Sequence, residues 1–121
     1  MTAPEIASRL EDILDAIAAI AEYTVGRSFE DYATERMLRD AVERNLERIS
    51  EASRHIPDNL KASHPEIEWP KVAGIGNILR HAYPIVDDGV IWEVVTRDLP
   101  PLKAAIEAML RVAENNAPGR G

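Results

Sequence analysis

The amino-acid sequence predicts an all-α fold, an up-down bundle of four to five helices joined by short connections. Three observations predict it. Apolar residues recur at steps of three and four along most of the 121 residues. No segment sustains the period-two alternation of a half-buried strand. Prolines and glycines fall mainly between the periodic stretches, where they punctuate them. A chain of this length forms one domain, so residues 1–121 are read as a single helical unit with a frayed tail over 115–121.

The first helix is predicted from Pro4 to about Thr24, with Ile6, Leu10, Ile13, Leu14, Ile17 and Ile20 in one stripe. Pro4 suits a first turn, where its missing N–H has no partner to lose. Gly26 ends the segment, and Ser28 with Asp31 has the spacing of a capping arrangement. A second helix then runs from near Phe29 to Ile56, uninterrupted by Gly or Pro, with Leu38, Val42, Ile49, Ala52 and Ile56 inward and Asn45 breaking the stripe. Residues 57–70 carry three prolines and read as a connection holding at most one short helical turn. A third helix is expected over 70–83, with Val72, Ile75, Leu79 and Tyr83 inward. Gly74 and Gly76 each weaken it by about 1 kcal/mol relative to Ala, through close approach or simple tolerance. Asp87 is an N-cap for a fourth segment through Val90, Ile91, Val94, Val95 and Leu99. Pro100 and Pro101 either kink that helix or begin a fifth, in which Leu102, Ile106, Met109, Leu110 and Val112 continue the pattern.

Composition narrows the function. The 45% hydrophobic content fills one core, and 29% charged residues keep the surface wet. The net charge is −7, and it is unevenly spread. Residues 1–35 hold eight acids against two bases, whereas residues 36–81 hold seven acids against eight bases. A protein living on nonspecific phosphate attraction would be basic throughout, so any nucleic-acid contact here is a small local site. Aromatic residues are 5% of the chain, too few for a base-stacking platform. The absence of cysteine removes thiol nucleophiles, disulfides and Cys-based zinc sites. His55 and His64 have no ligand spacing, so no metal and no cofactor are expected. No apolar run reaches the ~18 residues of a membrane span, and the N-terminus lacks a signal-peptide pattern. A cytoplasmic protein is expected.

The stretch GIGNILRHAYPIVD, residues 74–87, carries the chemistry. Asn77 and His81 are four apart and stack on one helical face. Arg80 adjoins His81, and Tyr83 lies two beyond it. A histidine trading protons near neutrality beside a phosphate-binding guanidinium is a minimal set for phosphodiester cleavage. It needs no metal if the attacking group is the RNA's own 2′-hydroxyl. The plainer reading of the pair is a surface or helix-end charge. Trp69 and Trp92 are expected to pack in the bundle or at an interface. Asp87–Asp88 and Glu11–Asp12 serve as cap and solvent residues.

Three blocks, SFEDYATERMLRDAVERNLERISEASRHIP (28–57), HPEIEWPKVAGIGNILRHAYPIVD (64–87) and VIWEVVTRDLPPLKAAI (90–106), resemble the HepT-like family of the HEPN superfamily. The resemblance spans about residues 5–110. It implies a helical bundle and a homodimer whose His-bearing helices meet near the two-fold axis. It further implies a toxin of a toxin–antitoxin pair, a metal-independent endoribonuclease acting on RNA. The family motif is Arg-Asn, three residues, His, one residue, Tyr. It places Asn77 as a polar positioner, His81 as the acid–base residue, and Tyr83 as the hydroxyl adenylylated by a small nucleotidyltransferase antitoxin. The motif arginine, which holds the scissile phosphate, falls at Gly76. Losing such a donor typically lowers the rate by ~10²–10³. Arg80, whose Cα lies ~6 Å further along the helix, can stand in for it or simply face solvent. Arg44, Glu47 and Glu51 match positions the family keeps polar. They form an ion-pair ladder along one helical face, or a carboxylate among them orients His81 or a partner's arginine. Gly76 leaves a second reading open, an impaired member acting as the binding or regulatory partner of a nucleotidyltransferase. A third is a structural dimer without substrate.

Overall fold

A computed structural model of the chain describes residues 1–81, His81 by its backbone alone, and residues 87–115. Helix α1 spans Ala3–Thr24. Thr2 and Glu5 close a capping box on it, Glu5 N–H donating to Thr2 Oγ1 at 3.2 Å and Thr2 N–H to Glu5 Oε2 at 3.3 Å. Leu10, Ile13, Ile17 and Ile20 are buried, as their spacing predicts. Gly26 turns the chain out of α1 at a φ of 71°, a region that side-chain-bearing residues avoid.

Ser28 and Asp31 form the second capping box, at the start of α2, Phe29–Thr34. The predicted long second helix is in fact two. It breaks at Glu35, whose backbone is extended (φ −101°, ψ 103°), and α3 runs from Arg36 to Ser53. Side chains hold the break: Arg27 pairs with Glu35, and Arg39 Nη1 donates to the Ala33 carbonyl at 2.6 Å. The break lets α2 turn Tyr32 into the core, where its ring stacks on Trp92 with centroids 5.4 Å apart. Among the described residues the buried Tyr32 hydroxyl has no hydrogen-bond partner, and burial pushes its pKa well above the usual tyrosine range. In α3, Leu38, Val42, Ile49 and Ala52 face inward, joined by Leu46. Asn45 is buried too, and its amide is satisfied by the Ala41 carbonyl and by Arg48 Nη1, each at 2.9 Å. The helix stops at Ser53 rather than Ile56, and a turn carries the Ile56 side chain into the core.

The proline-rich connection contains one short helix, α4 (Asp58–Ala62). Helix α5, Trp69–His81, begins one residue before its predicted start. The Trp69 indole N–H donates to the carbonyls of Lys61 and His64 at 3.1 and 3.2 Å, anchoring the connection to the helix. Val72 and Ile75 are buried, and Leu79 packs against the core. Tyr83 lies outside the described residues. Asp87 caps α6 (Asp88–Glu93) by accepting from Gly89 N–H at 2.8 Å. The Pro100–Pro101 pair falls in the first turn of a new helix, α7, Leu99–Asn115. A π-helical turn, Val94–Asp98, leads directly into it. Neither proline has an N–H to give back to the preceding turn, and the widened turn is bonded instead through Leu99 N–H to the Val94 carbonyl. Leu102, Ile106 and Met109 are buried, while Val112, expected inward, is half exposed.

The described residues form an all-α bundle. Helix α3 packs on α1 and α5, and α1 packs on α7. Lys71 Nζ, 2.9 Å from Asp98 Oδ2, joins α5 to the π turn across the remaining side. Among the described residues no helix is long and apolar enough to cross a membrane.

Candidate functional site

The α3–α5 contact sets the geometry of the motif helix. Ser50, buried on α3, donates from its hydroxyl to the Ala73 carbonyl at 2.7 Å and accepts from Gly76 N–H at 3.0 Å. Arg54 Nη2 donates to the same Ala73 carbonyl at 3.1 Å. These bonds require the two backbones to approach closely at Gly76. A Cβ there would lie 2.9 Å from Ser50 Oγ, 3.3 Å from Ser50 Cβ and 3.0 Å from Arg80 Nη1. At Gly74 a Cβ would meet nothing within 4 Å. Of the two glycines, only Gly76 answers to close approach.

The same geometry locates Arg80. Its side chain runs back along α5 so that Nη1 lies over Gly76, the position where the motif carries its arginine. The ~6 Å separation of backbone positions is thus spanned by the length of the side chain. Asn77 is exposed on the same helix, and the helical backbone continues one turn further to His81. The His81 side chain and Tyr83 lie outside the described residues.

Arg80 opens onto a groove of about 400 Å³ between α1, α3 and α5. Arg44, Glu47, Arg48, Glu51 and Ala52 line it from α3, and Arg9 and Asp12 from α1. The fold therefore gathers Arg44, Glu47, Glu51 and Arg80 around one space. The ion-pair ladder is not formed. Glu51 pairs with His55 at 3.3 Å, and Arg48 reaches across to Asp15 at 3.1 Å. Among the described residues, Arg9, Arg44 and Arg80 have no carboxylate partner. Sequence reasoning missed Arg9 and Asp12. Their spacing on α1 gives no sign that they face α3, because that depends on the register of two helices far apart in sequence.

An exposed amide and a guanidinium on one helix, with a histidine in the next turn of the sequence, are residue types that can position and protonate a phosphodiester. The adjoining guanidiniums can hold further phosphate oxygens. Among the described residues no group of three His, Asp or Glu could hold a metal ion.

Residues 13–109 match the family described as "Ribonuclease HepT-like". The chain is 44% identical over 100 residues to a "Probable ribonuclease HepT" of Thermococcus cleftensis, covering 83% of this chain and 91% of that one. It is 33% identical over 107 residues to a "Putative RNase" of Methanocaldococcus jannaschii, covering 88% and 98%. No solved structure matches.

Proposed function

The chain belongs to the HepT-like ribonuclease family, and from that premise we propose that it is a metal-independent endoribonuclease in which Arg80 supplies the phosphate contact of the missing motif arginine. The observation that carries this reading is the guanidinium of Arg80 lying over Gly76. In the proposed reaction the RNA's 2′-hydroxyl attacks the adjacent phosphorus, and the bond to the 5′-oxygen of the next nucleotide breaks. The products are a 2′,3′-cyclic phosphate and a free 5′-hydroxyl. His81 handles the proton, taking it from the 2′-hydroxyl or delivering it to the leaving oxygen. Asn77 positions the ribose–phosphate, and Arg80 offsets the charge that develops on the phosphoryl oxygens. Glu51 or Glu47 serves as a positioning carboxylate from α3.

The active form in this reading is a homodimer with the two α5 helices near the two-fold axis. Ile78, 49% exposed beside Asn77, is the apolar surface that supports such a contact. The chain acts as the toxin of a toxin–antitoxin pair in the cytoplasm. A small nucleotidyltransferase antitoxin adenylylates Tyr83, and the added phosphate blocks the site by charge and bulk.

Cleavage of single-stranded RNA without added metal, by the wild type and by His81→Ala and Arg80→Ala, tests the reading. The wild type is expected to cut. His81→Ala falls by ~10²–10⁴ and Arg80→Ala by ~10²–10³. An inert wild type overturns the enzyme reading in favour of a second one, a regulatory partner of the nucleotidyltransferase. The specific observation favouring that alternative is the crowding at Gly76, which excludes an arginine from the motif position.

A further inference from the structure

The groove reaches well beyond the motif. Arg9 and Asp12 lie on α1, outside anything the cleavage reaction uses, yet they line the same space as Arg44, Glu47 and Arg80. Some opposite charges one helical turn apart close up elsewhere in the molecule. Arg97 pairs with Glu93 at 3.0 Å and His55 with Glu51 at 3.3 Å, each four residues apart. Arg44 and Glu47 stand three apart on one helix and do not pair among the described residues. Arg48, the fourth guanidinium of the groove, is held by Asp15 and Asn45 and braces α3 against α1. The bracing arginine is satisfied, whereas Arg9, Arg44 and Arg80 line the groove from three helices without a carboxylate partner among the described residues. Guanidiniums sharing a groove repel one another, and an oxyanion between them relieves the repulsion through charge-assisted hydrogen bonds.

The carboxylates define the ligand further. Asp12, Glu47 and Glu51 leave the groove close to charge balance, which disfavours the dense phosphate array of a duplex. They favour a ligand that offers hydrogen-bond donors as well as phosphates. Along α3, the rise from Arg44 to Glu51 is about 10 Å, enough to run beside more than one nucleotide. We infer that this groove is a strand-holding subsite for single-stranded RNA. Arg9 and Arg44 bind the phosphate flanking the one at Arg80, and Asp12 and Glu47 accept hydrogen bonds from ribose 2′-hydroxyls. The inference takes its ligand from the ribonuclease reading but concerns binding, so the two fail separately.

The test uses the full chain carrying His81→Ala, so that RNA is bound without being cut. Anisotropy of a fluorescein-labelled single-stranded RNA oligonucleotide is titrated over a range of salt. Adding Arg9→Ala and Arg44→Ala is expected to weaken binding by roughly tenfold or more, since hydrogen bonds to charged groups are the strong ones. The slope of log affinity against log salt should fall by about 0.7, the value for one neutralised phosphate on a single strand. Circular dichroism checks that this variant keeps its helices. Arg36→Ala with Arg97→Ala removes the same charge from exposed sites elsewhere and should leave affinity unchanged. The parent should bind RNA more tightly than DNA of the same sequence, and Asp12→Ala with Glu47→Ala should close that gap. Equal loss in the two arginine pairs, or no loss at Arg9 and Arg44, overturns the subsite while leaving cleavage by the wild type untouched. Equal affinity of the parent for RNA and DNA overturns the hydroxyl contacts. A wild type that cuts no RNA, with a groove that still binds it as described, overturns the ribonuclease reading alone.

Discussion

Gly76 shows how one residue ties packing to chemistry. In an isolated helix, replacing it by Ala would add about 1 kcal/mol of stability. Here the new Cβ would sit 2.9 Å from Ser50 Oγ, and overpacking of that kind typically costs about 1–3 kcal/mol. Gly76→Ala is therefore expected to lower the urea midpoint. The same contact bars the simplest repair of the motif. Gly76→Arg alone should destabilise the protein without raising cleavage, whereas Ser50→Gly with Gly76→Arg opens the space for the new side chain. From sequence, Gly74 and Gly76 are equivalent; only the position of Ser50 on the neighbouring helix separates them. Tyr32 gives the opposite expectation. Its buried hydroxyl has no partner among the described residues, so Tyr32→Phe should stabilise the fold by about 1 kcal/mol in chemical denaturation, with the stacking on Trp92 kept.

At the scale of the element, what was legible is what local rules decide. The Ser28–Asp31 capping box, the Asp87 cap and the stripe of α1 all follow from residues a turn or less apart. The break at Glu35 does not, because no Gly or Pro marks it. It is held by Arg27 and Arg39, and by Tyr32 turning inward against Trp92 on a distant helix. The Asp31 carboxyl is held below its usual pKa, first by the backbone N–H of Ser28. The native state thus takes up a proton there less readily than the unfolded chain. The cap's contribution is present above the ordinary aspartate value of 3.8 and is lost as pH falls through the lower folded value. Thermal melts by circular dichroism should show the wild type losing stability below that pH more steeply than Asp31→Asn. At neutral pH, Ser28→Ala should cost about 1 kcal/mol.

For the whole molecule, periodicity predicts the fold class and composition predicts a local rather than a general nucleic-acid surface. The groove itself could not be read from sequence, because Arg9 and Arg44 meet only through the α1–α3 register. Assembly is tested at this scale. Ile78→Asp places a charge on the exposed α5 face, and under the proposed homodimer it shifts sedimentation from dimer to monomer, with helical content unchanged and cleavage lost. An unchanged sedimentation coefficient would overturn the proposed α5 contact. The two tryptophans also stand at separate junctions, Trp69 where the connection enters α5 and Trp92 against Tyr32 on α2. The protein thus carries two native fluorophores in unlike surroundings. Single-tryptophan versions would let an emission spectrum tell which of these junctions loosens first on heating.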